Sequence, residues 1–217
     1  MKKLDIIYED KDILVVNKPA KILTVSDGIK ENTLYSMARE YVKKKHKSNK
    51  IFIVHRLDKD TSGVLVFAKS EQIKKELQTN WNRVARREYL GILEGVLKEN
   101  QGVIRNYLLE SSTHTVYVSK NKKGDYAKTK YEVIKRTKEN TVVKIEIKTG
   151  KKHQIRVGFA NLGYPLIGDK KYKSKTNPIK RLGLHATKLT LKRNEKEQEF
   201  YAKVPKEFER FINFNKK

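Results

Sequence analysis

The sequence contains no cysteine, which excludes disulfides and thiolate metal sites and fits a reducing cytoplasm. Acidic residues are scarce beside basic ones. There are 25 Asp and Glu against 50 Lys and Arg, giving a formal charge of +25 and a pI near 10.0. No apolar run is long enough to span a membrane, and the opening Met1-Lys2-Lys3-Leu4-Asp5 lacks the apolar core of a signal peptide. With four prolines and no low-complexity stretch or internal repeat, nothing marks a linker. A single domain over residues 1–217 is expected.

What is present is a chain of 217 residues, 37% hydrophobic and 35% charged. Apolar segments recur along nearly its whole length, as a packed core requires and a disordered chain would lack. A charge of +25 attracts polyanions, and nucleic acid is the foremost, because each neutralised phosphate releases counterions. An anionic membrane surface is the competing partner, but no lipidation motif or basic amphipathic anchor supports it. Only eleven of the basic residues are arginine, so each arginine carries more information than a lysine.

Residues Ile6–Tyr8 and Ile13–Asn17 read as short strands. Leu34, Met37, Ala38, Tyr41 and Val42 recur with helical spacing, with Asn32 or Thr33 as the cap and Lys43–Lys45 at the negative end of the dipole. The unbroken apolar run Val64–Ala68 reads as a buried strand, and Ser70 opens a helix carrying Ile73 and Leu77. Strands are expected at Tyr89–Leu93, Val103–Leu109, Thr115–Val118, Tyr126–Ile134, Val142–Ile147, Leu184–Leu191 and Phe200–Val204. Helices are expected over 151–162 and from Pro205 onward. Strands and helices do not alternate strictly, so the fold class is α+β rather than doubly wound α/β.

The most informative segment is His55-Arg56-Leu57-Asp58-Lys59-Asp60-Thr61-Ser62-Gly63. It puts a carboxylate, an arginine and a histidine on a loop feeding a rigid strand, where a precise site belongs. The loop alone leaves two readings open, since an Asp beside Thr-Ser-Gly also closes turns by bonding its own backbone.

His-Arg-Leu-Asp-x-x-Thr-Ser-Gly resembles the signature loop of the RluA family of pseudouridine synthases. Arg87-Glu88-Tyr89-Leu90-Gly91 is similar to that family's second motif. Thr149-Gly150-Lys151-Lys152-His153-Gln154-Ile155-Arg156-Val157, followed by Gly163-x-Pro165-x-x-Gly168-Asp169-x-x-Tyr172, is similar to its third. Val16-Asn17-Lys18-Pro19-Ala20 and Leu184-His185-Ala186 fit as well, so the resemblance runs from residue 6 to 205. The chain departs from the pattern at Lys151 (usually arginine), Gly158 (often histidine), and Lys21 and Lys173 (commonly glycine). None of these removes a residue with a proposed catalytic role.

The resemblance implies a pseudouridine synthase fold: a mixed, mainly antiparallel central sheet with flanking helices and a catalytic cleft. It implies an isomerase that turns a uridine in ribosomal or transfer RNA into pseudouridine. Asp58 would be the catalytic carboxylate and Arg156 the fixed cation keeping it ionised. Tyr89 would stack on the target base, and Arg56 or His55 would fill the space left by the everted nucleotide. Taken alone, Arg156 can also be read as a surface arginine, Tyr89 as a core aromatic and His55 as a loop histidine bonded to backbone. Lys59, Lys69, Lys151 and Lys152 flank the motifs and could line a phosphate track. The chemistry oxidises nothing and transfers no group, so no cofactor and no metal are expected. The partner would be a stem-loop of RNA, the protein a cytoplasmic monomer, and the chain a catalytic domain without the amino-terminal RNA-binding module of many family members. The alternatives are a non-catalytic basic RNA-binding protein, or a hydrolase acting as a base glycosylase or as a metal nuclease through His55, Asp58 and Asp60.

Overall fold

A computed structural model describes residues 3–26, 32–193 and 195–212. The chain forms two compact units, one from Met1–Arg86 with Ala186–Lys203, the other from Arg87–His185 with Val204–Lys217. Together their elements make an α+β protein. Among the described residues no helix is long and apolar enough to cross a membrane.

In the first unit the sheet order is β1 (Ile6–Glu9), β2 (Ile13–Lys18), β4 (Ser62–Ala68) and β10 (Leu184–Arg193). The short β3 (Phe52–Ile53) pairs with β4, and β11 (Lys196–Tyr201) with β10. All seven residues of β4 are buried, as its continuous apolar sequence predicts for a strand covered on both faces. Ile13, Val15, Val64, Val66, Leu189 and Phe200 form one face of the core, closed by Leu77 and Trp81 of α2 (Glu71–Val84). On the other side Phe67 meets Tyr35 of α1 (Leu34–Lys45) at 6.5 Å between ring centroids.

Both helices start where side chains replace the missing backbone acceptors. Thr33 caps α1 in a reciprocal box with Ser36, and the Ser70 hydroxyl accepts from the Ile73 amide. The strand expected at Phe200–Val204 lies earlier, at Lys196–Tyr201. Its charged half pairs in register with β10, Gln198 opposite Leu191 and Phe200 opposite Leu189. Glu197 and Glu199 find Arg86 and Lys188, each at 2.6 Å. Hydropathy alone could not show a strand that opens Lys-Glu-Gln-Glu, with a single buried apolar residue, Phe200.

Glu9 joins three elements of this unit. Its carboxylate accepts from Lys45 at 2.7 Å, Lys69 at 3.0 Å and the Tyr41 hydroxyl at 2.8 Å. Burial pushes this carboxyl up, but the hydrogen bonds from Lys45, Lys69 and Tyr41 outweigh it and hold the group down, from 4.5 to about 2. A depressed folded-state pKa contributes stability that is full above the ordinary carboxylate value and is lost as pH falls toward the folded one. Denaturant midpoints of the wild type should therefore drop as pH falls from 4.5 to about 2, and Glu9→Gln should flatten that part of the profile. Parallel acid profiles for the two proteins would contradict this account.

The second unit carries β5 (Ala85–Glu94), β9 (Asn140–Ile147), β8 (Asp125–Arg136), β6 (Gln101–Glu110) and β7 (Val116–Val118) side by side. Neighbours in this row are antiparallel. Along β8, Ala127, Thr129 and Tyr131 are buried while Tyr126, Lys130 and Glu132 are exposed, the period of two that a one-sided sheet demands. The buried face receives α3 (Gln154–Asn161), whose Phe159 meets Tyr131 edge-on at 5.5 Å. The β5–β9 end of the opposite face is covered by α4 (Lys206–Ile212), with Phe208 and Phe211 against Leu90, Ile92 and Val142.

The helix expected over 151–162 begins at Gln154 instead. His153 stands at φ 53, in the left-handed region, and the Gln154 side chain accepts from the Lys151 amide, so the preceding residues form a turn. Lys21 and Lys173, the two lysines in glycine positions of the resembling family, lie at φ 68 and 66. Glycine adopts that conformation without strain, whereas a lysine there costs about 1–2 kcal/mol.

Candidate active site

The Asp58 loop is held from four directions inside the first unit. Thr24 both donates to the Leu57 carbonyl at 2.9 Å and accepts from the Leu57 amide at 3.3 Å. Lys18 is fully buried, and its ammonium donates to the carbonyls of Pro19, Ile22 and Lys59 at 3.0, 2.7 and 3.0 Å. Three donors meet three acceptors, which is how a buried ammonium becomes tolerable. The Asp58 carbonyl accepts from the Thr61 amide at 3.2 Å, so the main chain itself closes this turn. His55 accepts from the Val66 amide at 3.2 Å through Nε2 and stacks on Trp81 with centroids 4.6 Å apart.

The loop then enters β4 through Gly63, at φ 118. A Cβ there would lie 2.1 Å from the Ala186 carbonyl oxygen, so the glycine is a steric requirement of the junction between loop and sheet. On this scaffold Arg56 and Lys59 are exposed and Asp58 half-buried. His55, Arg56, Asp58 and Lys59 thus share one immobilised loop, with the histidine ring engaged by the protein.

In the second unit Tyr89 lies on β5 opposite Ile145, on the α3 side of the sheet and 7% exposed. Arg87, two residues before it on the same face, is also buried. Burial pushes the Arg87 guanidinium down while Tyr89 acts in the opposite sense. A Cβ on Gly150 would stand 2.6 Å from Arg87 Nη1, so Thr149-Gly150 leaves its side-chain space to that guanidinium.

Gln154, 4% exposed, ties the start of α3 to β8. It donates to the Lys128 carbonyl at 3.0 Å and to Thr129 Oγ1 at 2.9 Å, and accepts from Thr149 at 2.8 Å. Arg156, two residues on, is buried rather than on the surface. Its Nε and Nη2 donate to the two carboxylate oxygens of Asp169, both at 2.8 Å. Its Cζ lies 5.2 Å from the centre of the Tyr172 ring, and the Tyr172 hydroxyl meets His153 Nδ1 at 2.8 Å. Fork geometry and a flat aromatic neighbour fix the guanidinium plane as a lysine could not be fixed.

Lys151 and Lys152 pair with Asp125 and Glu110 at 2.8 and 2.5 Å, at partly exposed positions. Such pairs contribute little and exchange readily for a stronger anion. Lys69 is taken up by Glu9. Among the described residues no group of three or more His, Asp and Glu side chains is placed to hold a metal ion.

Three participants had no assigned role in the sequence: Lys18, Gln154 and Asp169. Asp169 had the best available signal, because a helix-borne arginine among Ile155, Val157 and Phe159 needs a buried carboxylate.

The RNA pseudouridylate synthase family matches residues 12–161. An uncharacterised RNA pseudouridine synthase of Bacillus subtilis is 36% identical over 192 residues, 86% of this chain and 63% of the relative. One from Helicobacter pylori is 34% identical, over 96% of this chain and 78% of its own length. The ribosomal large subunit pseudouridine synthase D of Blochmanniella floridana is 37% identical over 78% of this chain, which spans 54% of that relative. Human RNA pseudouridylate synthase domain containing 4 superposes with a TM-score of 0.80 at 24% identity, covering 96% of this chain and 92% of that one. The architecture described above is therefore the pseudouridine synthase fold.

Proposed function

Because this chain belongs to the RNA pseudouridylate synthase family, we propose that it isomerises a uridine within an RNA stem-loop to pseudouridine, with Asp58 as the reacting carboxylate. The observation that carries the reading is the Asp58 loop, pinned by Thr24, Lys18, His55 and its own backbone turn. A loop that only joined two strands would not need a buried ammonium and a threonine clamp. A carboxylate that must meet one ribose carbon does.

The reaction breaks the uracil N1–C1′ bond, turns the base, joins C5 to the same C1′, moves the C5 proton off carbon and reprotonates N1. Nothing is oxidised, so the residues need no redox cofactor or metal. Asp58 either attacks C1′ or supports an oxocarbenium-like or glycal route. Arg156, oriented by Asp169 and Tyr172, is the fixed cation that the family resemblance assigns to the reaction. Tyr89 stacks on the uracil and assists loss of the C5 proton.

Extruding the base costs a few kcal/mol of stacking. Arg56 takes the vacated space, since it is exposed while the His55 ring is engaged by Val66 and Trp81. Lys59, Lys151 and Lys152 contact backbone phosphates, the latter two exchanging Asp125 and Glu110 for RNA. The substrate is ribosomal or transfer RNA, and the protein acts in the cytoplasm as a monomer.

The test is incubation of the purified protein with ribosomal and transfer RNA in excess EDTA, followed by chemical mapping of pseudouridine. Conversion of a defined uridine without strand cleavage is the expected result. An abasic product would identify a glycosylase, strand cleavage in a parallel magnesium reaction that EDTA abolishes a metal nuclease, and binding without product in either an RNA-binding protein.

A further inference from the structure

The second unit's sheet has a face that the chemistry above does not use. Tyr89, Ile145 and Tyr131 line the side covered by α3. On the other side, beyond α4, β6 and β8 present their alternate residues. Tyr107 stands directly opposite Tyr126, Arg105 opposite Lys128, and Val103 opposite Lys130. On the edge strand β7, Tyr117 lies opposite Leu109, one pleat along from Tyr107. Tyr117, Tyr126 and Val103 are 46%, 41% and 38% exposed, and the Tyr107 and Tyr126 rings lie 5.5 Å apart.

Two features make this more than a scatter of surface residues. First, Arg105 facing Lys128 is a like-charge pair across the ladder, an arrangement that disfavours folding. Among the described residues Arg105 and Lys128 form no ion pair. By contrast, Lys144 on the neighbouring strand β9 is neutralised by Glu88, Lys148 just past the end of β9 by Glu146, and Lys130 has Glu146 opposite it in the ladder. Positive charge left uncompensated beside exposed aromatics calls for an external anion. Second, three tyrosines on three adjacent strands span two strand spacings, roughly 10 Å. Flat rings interleaved with cations suit unpaired nucleotides, whose bases stack on the rings while their phosphates meet the cations. An acidic peptide would use the cations but has no comparable use for the rings.

We propose that the β7–β6–β8 face, built from Tyr107, Tyr117 and Tyr126 with Arg105, Lys128 and Lys130, binds single-stranded RNA next to the stem-loop being modified. The identity of that RNA as substrate rests on the function proposed above; the binding itself does not.

Two labelled probes test it by anisotropy at fixed salt: an oligouridylate of about twelve nucleotides, a length within the footprint of such platforms, and a blunt RNA hairpin. Tyr117→Ala/Tyr126→Ala should weaken the oligouridylate roughly 10- to 100-fold, with hairpin affinity changed less than about twofold. Tyr117→Phe/Tyr126→Phe keeps the stacking faces and should bind both probes like wild type. Arg105→Gln/Lys128→Gln should lower the salt slope for the oligouridylate by about 0.7 per cation. Photocross-linking of 5-bromouridine in the oligomer should map to Tyr117 or Tyr126.

Unchanged oligouridylate binding in the alanine variant would overturn the proposal. So would cross-links confined to other surfaces, or a wild-type dimer that becomes monomeric in the variant. If pseudouridine never forms but oligouridylate binding still depends on the tyrosines, the enzymatic reading fails and this one stands. If pseudouridine forms normally and the tyrosines make no difference, the reverse holds.

Discussion

Replacing Asp58 with Asn is expected to reduce pseudouridine formation at least about 10³-fold while leaving RNA affinity within about twofold of wild type. Asparagine matches aspartate in size and can hold the same loop, whose position is set by Thr24, Lys18 and the Asp58–Thr61 backbone turn rather than by the carboxylate alone. What it lacks is the negative charge that must meet the ribose carbon, and an interaction made only at the transition state lowers turnover without weakening binding. The check is single-turnover conversion of the mapped uridine at saturating enzyme, alongside a binding isotherm for the same RNA. A variant that keeps a tenth or more of wild-type turnover would remove Asp58 from the reaction. One that loses affinity and turnover together would make it a binding residue.

Replacing Asp169 with Ala should be the most damaging change to stability. Arg156 and Asp169 are both buried and joined through two hydrogen bonds at 2.8 Å. Removing one member of a buried pair leaves the other charge poorly compensated, at a cost of about 3–5 kcal/mol. For a chain of this size that lowers the melting temperature by roughly 10 °C. Turnover should fall too, because the guanidinium plane loses the fork that orients it. The double change Arg156→Met/Asp169→Leu separates the two effects. With both charges gone the site packs as an apolar one, so stability should largely return while activity stays absent. If Asp169→Ala melts like wild type, the pair contributes little to the fold. If the double variant regains activity, Arg156 has no part in catalysis.

Reading the chain in order went furthest where one local rule dominated. Helix α1 followed from apolar spacing, with its cap narrowed to Asn32 or Thr33 and found at Thr33, and β4 from an unbroken apolar run. Reading failed where long-range pairing decided the outcome. The charged strand β11 is held by its register on β10. The two-residue β3 exists only as a partner of β4. The start of α3 is delayed by Gln154, whose amide is spent on β8 and the preceding turn. Among the candidate residues, the resemblance to the RluA family pointed to Asp58, Tyr89 and Arg156, which the residues taken alone left open. Neither could show that the His55 ring is engaged within its own unit, or that Lys151 and Lys152 rest on Asp125 and Glu110.

The order of residues by itself determined the polyanion-seeking charge, the α+β class and the family words on which the chemistry rests, because each is a property of neighbours along the chain. The supporting cast was decided only in three dimensions. Lys18 meets a carbonyl 41 residues away and Arg156 a carboxylate 13 residues away. Buried polar groups must find partners wherever the fold brings them, and sequence separation does not record which partner that will be.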